Sequence, residues 1–155
     1  MATDRHRSGA PPGALVQPRA IKDACFAAFA NVSAPTSCRD IAPHLCDECD
    51  ELARDLIGKR PSSLDGATLS YHCWDLPLLS ASAKRYYLPA WIERSLDELD
   101  SDYTQALLFD FDSDHRHEGF DDAQRAAISI YLDYVAAHGD DSLRDLAVSA
   151  QIRWR

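Results

Sequence analysis

Apolar residues recur at helical spacing through most of this chain. From Arg19, Ile21, Cys25, Ala28, Phe29 and Val32 fall on one face of a predicted helix. A second helix is expected to start near Ile41 with Asp40 as its cap, turning Leu45, Cys49, Leu52, Ala53 and Leu56 inward, and to end at Gly58 and Pro61. Between Ser62 and Trp74 the pattern is divided. Leu69, His72, Cys73 and Leu76 share a helical face, whereas T-L-S-Y alternates like a strand. Helix is favoured, because no second strand pattern exists for it to pair with, and a lone strand leaves its backbone groups unsatisfied.

The stretch from Leu69 to Leu99 organises the rest. Ser80 is a natural N-cap, and Leu88, Ile92, Leu96 and Leu99 form a stripe with Tyr87, Trp91 and Ser95 beside it. So wide an apolar arc predicts a helix buried on much of its circumference, with a kink at Pro89, which has no N–H for the carbonyl four residues back. T-Q-A-L-L-F-D-F then predicts one or two helical turns. A helix capped by Asp121 or Asp122 follows, lined by Ala127, Ile128, Tyr131, Leu132 and Val135 and closed by Gly139. The last helix starts at Asp140 or Asp141 with Leu143, Leu146, Ala147 and Ala150 inward. The expected fold is all-α: a compact single-domain bundle of about five to six helices over residues 19–155. Residues 1–18 carry three of the eight prolines and little apolar surface to offset ordering entropy, so they read as a flexible leader.

Composition narrows the class. At 155 residues and 46% hydrophobic content, the chain can bury roughly 70% of its unfolded surface. A formal net charge of −9 argues against nucleic acid as a partner and for a basic protein. No apolar run reaches the ~20 residues of a membrane span, and the start lacks a secretory apolar segment, so the expected location is cytoplasmic with no membrane partner. Five cysteines there are thiols or metal ligands.

Three constellations carry potential chemistry. In H-L-C-D-E-C, Cys46 and Cys49 lie three apart on one helical face, and a zinc ion would complete its tetrahedron from His44, His72, Cys73 or Cys38. A thioredoxin-like redox role ranks lower, because no strand precedes the pair. In D-F-D-S-D-H-R-H-E-G, Asp110, Asp112 and Asp114 resemble a calcium loop, but His115 stands where the tight turn needs glycine. His115, His117, Asp112, Asp114 and Glu118 are the alternative set for a transition metal, which would suit a metal-dependent hydrolase. The third feature is charge: eleven acids between Glu93 and Asp122 face two arginines, Arg94 and Arg116, which gives a local balance of −9. Such a field steers basic partners, with Asp110, Asp112, Asp114 and Glu118 as the contact acids and Tyr86 as an aromatic contact. No nucleophile elbow, phosphate-binding glycine loop or H-E-x-x-H motif occurs.

A-I-K-D-A-C-F-A-A-F, H-L-C-D-E-C-D-E-L, L-I-G-K-R, L-S-Y-H and L-L-S-A-S-A-K-R-Y-Y-L-P-A-W, in that order, resemble an uncharacterised family of small bacterial proteins of unknown function. The resemblance rests most on Y-Y-L-P-A. It implies a bacterial source and a mostly helical domain, and brings no catalytic residue with it. The leading expectation is therefore a non-enzymatic acidic interaction protein, an immunity-type or regulatory partner of a basic protein. The alternatives are a zinc protein using Cys46, Cys49 and His72, and a hydrolase using the Asp112–Glu118 loop.

Overall fold

A computed structural model describes residues 16–113 and 119–155. Among them the regular structure is helical throughout: α1 (Pro18–Ala28), α2 (Cys38–Ile41), α3 (Asp47–Leu56), α4 (Gly66–Tyr71), α5 (Ala81–Asp97), α6 (Asp102–Phe111), α7 (Asp122–His138) and α8 (Asp141–Trp154), with short 3₁₀ turns at Pro61–Ser63 and Leu76–Leu78. Eight α-helices replace the expected five to six, and no strand occurs among the described residues. The leader lies almost wholly outside the described residues; Pro18 is already the first residue of α1, where a proline's missing N–H costs nothing.

One of the extra helices comes from a divided second segment. Asp40 does not cap a long helix. It is the third residue of α2, in a capping box with Ser37: its carboxylate accepts from the Ser37 amide at 2.8 Å, while Ser37 Oγ accepts from the Asp40 amide. Pro43 then disfavours helix in Ala42, which sits in extended backbone. A new helix opens at Asp47 with Cys46 as N-cap. Leu45 consequently lies in the connecting loop and is 86% exposed, not inward as its spacing predicts. Gly58, at φ 75°, ends α3 in the left-handed region open to glycine. Gly139 ends α7 for a different reason: its φ is ordinary, but an added Cβ would lie 2.9 Å from the Val135 carbonyl oxygen.

α5 is the axis. Ser80 caps it, accepting from the Ala83 amide at 3.1 Å, and the Ser80 amide donates to the Ile41 carbonyl at 2.7 Å, which ties its start to the end of α2. The helix is continuous across Pro89. An interior proline costs about 3 kcal/mol, but burial of side chains such as Tyr87, Leu88, Trp91 and Ile92 contributes roughly 1.5–3 kcal/mol each and outweighs it. α1, α2, α4, α6 and the 61–63 turn all pack on α5, and α7 and α8 pair as a hairpin against α1 and α6. Tyr87 donates to the Leu56 carbonyl at 2.7 Å and Trp154 to the Phe111 carbonyl at 2.9 Å, fixing the ends of α3 and α6. Inside, Ser95 Oγ meets Thr104 Oγ1 at 2.8 Å and Tyr131 Oη at 2.5 Å, so the hydroxyls of α5, α6 and α7 satisfy one another.

Candidate functional site

The turn that follows α4 gathers the groups with chemistry to offer. Asp65 caps α4 by accepting from the Thr68 amide at 2.7 Å, and the helix stops after six residues at His72. The Asp75 amide returns to the His72 carbonyl at 3.0 Å, and Pro77 opens the next 3₁₀ turn. This tight path turns His72, Cys73 and Leu76 inward, as their shared face predicts, and leaves Tyr71 and Trp74 outside, 66% and 49% exposed.

His72 is held between two carboxylates. Its Nδ1 lies 2.6 Å from Asp75 Oδ2 and its Nε2 2.9 Å from Asp55 Oδ2 on α3. Both ring nitrogens thus have a carboxylate oxygen within hydrogen-bond distance. Tyr71 packs edge-on against the imidazole at 4.9 Å, and its hydroxyl lies 3.1 Å from each Glu51 carboxylate oxygen. That hydrogen bond holds the Tyr71 phenol above its ordinary value, with the Glu51 charge adding to the effect. Trp74 meets Phe109 of α6, itself 47% exposed, at 6.1 Å between ring centroids. Burial raises the Cys73 thiol, and the nearby Asp102 and Asp75 charges raise it further. Two aromatic contacts result from this turn: exposed Tyr71 on the buried imidazole and on Glu51, and exposed Trp74 on Phe109, with Asp55 and Asp75 holding the imidazole.

The residues singled out by sequence are brought together only in part: the Cys49 amide donates to Cys46 Sγ at 3.4 Å, while His72 meets Asp55 and Asp75 instead. His72 is buried and turned to Asp55 and Asp75, away from a thiolate set. Cys46 is exposed at the start of α3, Cys49 is buried one turn on, and His44 is exposed, with its carbonyl accepting from Arg39 at 2.8 Å. No group of three or more His, Cys, Asp or Glu side chains placed to hold a metal occurs among the described residues.

The expected acidic contact surface is corrected at Asp110. Its side chain is 0% exposed and pairs with Lys84 Nζ at 2.5 Å, because Asp110 falls on the face of α6 turned toward α5. Asp112 is half-buried, accepting from Ser149 at 2.9 Å and Arg153 at 3.3 Å. Asp114, His115, His117 and Glu118 lie outside the described residues. Tyr86 is half-buried, packed against Tyr87 at 4.8 Å, and lines a groove of about 260 Å³ with Phe26, Phe29 and Pro89. Asp55, Asp75, Glu51, Tyr71, Trp74 and Phe109 were not anticipated. A signal for two of them exists: Tyr71 and Trp74 flank the Leu69/His72/Cys73/Leu76 stripe and so had to point away from it.

Compared with family models, curated proteins and solved structures, the chain shows no match.

Proposed function

We propose that this is a non-enzymatic acidic interaction protein, an immunity-type or regulatory partner, which captures a basic protein through the Tyr71–Trp74–Phe109 face. The observation that carries the reading is Tyr71, exposed, bonded to the Glu51 carboxylate and packed on an imidazole held by two more carboxylates, with the exposed Trp74–Phe109 contact following three residues on in the same turn. Aromatic anchors inside a polar rim supply most of the binding energy at protein interfaces, and carboxylates already held by His72 and Tyr71 lose little conformational entropy when a cation meets them. The net charge of −9 adds long-range attraction for the same class of partner.

Trp74 provides the readout, because Trp91 and Trp154 are buried. Titration with Lys/Arg-rich peptides carrying spaced apolar residues is expected to shift Trp74 emission, and raising salt from about 50 to about 300 mM should weaken the binding. Tyr71→Ala and Phe109→Ala should each weaken it about tenfold or more. Equal binding of acidic peptides, or indifference to both substitutions, overturns the reading.

A further inference from the structure

The expectation that set redox chemistry aside rested on the absence of a strand before C-D-E-C. What dithiol chemistry requires is narrower: an accessible sulfur at a helix N-terminus and a second sulfur within reach of it. Both are present. Cys46 is exposed and is the N-cap of the ten-residue α3, in extended backbone at φ −147° and ψ 159°. Its Sγ accepts from the Cys49 amide at 3.4 Å, so the sulfur is folded over the first turn toward Cys49. Cys49 is fully buried directly behind it. Helical geometry places Cα atoms three residues apart at about 5 Å, inside the roughly 4.4–6.8 Å window of disulfides.

We propose that Cys46 and Cys49 form a redox-active dithiol that closes to an intramolecular disulfide by exchange with a disulfide co-substrate. The Cys46 thiolate attacks one sulfur of the co-substrate R–S–S–R, forming a Cys46–S–S–R mixed disulfide and releasing RS⁻. The Cys49 thiolate then attacks Cys46 Sγ, breaking its bond to R and releasing the second RS⁻. The two protein thiols are oxidised, the co-substrate is reduced to two thiols, and the two protons lost by the cysteines protonate those leaving groups.

The asymmetry of the site orders these steps. Burial, with the Cys46 sulfur next, pushes the Cys49 thiol up to about 11, so Cys46 is the sulfur available to attack first. Once Cys46 is in the mixed disulfide its charge is gone, and with it that part of the penalty on ionising Cys49. Cys25 and Cys73 are buried in other elements, and Cys25 is pushed up to about 12 by burial, which makes them internal controls.

The test is equilibration of the full chain with graded mixtures of oxidised and reduced glutathione, followed by acid quench, alkylation and peptide mapping. The peptide holding Cys46 and Cys49 should lose two hydrogens in one two-electron transition while Cys25 and Cys73 stay as thiols. Cys49→Ser should accumulate the Cys46–glutathione adduct about tenfold above the unsubstituted protein. Cys46→Ser, which keeps a capping oxygen, should abolish oxidation of Cys49. A stable Cys46–glutathione adduct in the unsubstituted protein, a bridge from Cys46 to the exposed Cys38, or continued alkylation of both thiols under oxidising conditions overturns the proposal.

Discussion

At the scale of single residues, charge is used in two opposite ways. Asp110 and Lys84 are withdrawn from water and satisfy each other between α6 and α5, whereas Asp55 and Asp75 keep an edge to solvent while they grip a buried histidine. The buried pair makes a sharp prediction. Asp110→Ala removes a carboxylate partner of the buried Lys84 ammonium and should cost about 3–5 kcal/mol in urea unfolding, while Lys84→Met/Asp110→Leu should recover most of that loss. A single substitution that costs no more than the double would show that the pair is not what sets the stability of this contact. Asp110 also shows the limit of reading charge along a sequence. Its neighbours suggest a solvated acidic run, and only the approach of α5 reveals that it is core.

At the scale of elements, the caps decide where helices begin. Ser80 caps as its position predicts, and Asp121 and Asp140 take the cap over their alternatives Asp122 and Asp141; Asp65 caps in the same way, because capping is a local bond between a side chain and an amide three residues on. Hydrogen bonds from Thr36 and Ser37 hold the Asp40 carboxyl below its ordinary 3.8, and those from Thr68 do the same for Asp65. A carboxylate whose folded value is depressed stabilises the fold above its unfolded value, and that contribution is lost as pH falls through the folded one. The starts of α2 and α4 should therefore fray as pH falls below the ordinary carboxylate value of 3.8. Asp40→Asn/Asp65→Asn is expected to be less stable at neutral pH and to show a shallower acid limb by circular dichroism; an unchanged acid limb would remove these caps from the account. The boundary between α2 and α3 was harder to foresee, since the apolar spacing runs on across Pro43 and only the proline interrupts it.

At the scale of the molecule, α5 collects five other elements, and the buried apolar residues from Ile21 to Trp154 form one connected cluster. The expected single domain should then unfold as a unit. Fluorescence of Trp91 and Trp154, which are buried on α5 and α8, should report the same denaturant midpoint as far-ultraviolet circular dichroism. Separated midpoints would divide the α7–α8 hairpin from the rest. Among the described residues no helix is long and apolar enough to cross a membrane. The Cys46–Cys49 pair sits on the same helix as Glu51 and Asp55, with Cys46 exposed at its start and Cys49 buried behind it.

The sequence by itself determined the helical class, most of the caps and the stripes that became core, because helical periodicity and capping act over three or four residues and need no partner from elsewhere. It also marked the Leu69–Leu99 segment as central, since so broad an apolar arc has to be covered on several sides. Tertiary structure alone decided what the polar residues do. His72 matches a zinc ligand in spacing but meets Asp55, seventeen residues away, and Asp110 matches a surface acid but meets Lys84, twenty-six residues away. A polar side chain's role is set by whichever donor or acceptor the packing brings within about 3 Å, and pairings over such separations leave no period in the chain.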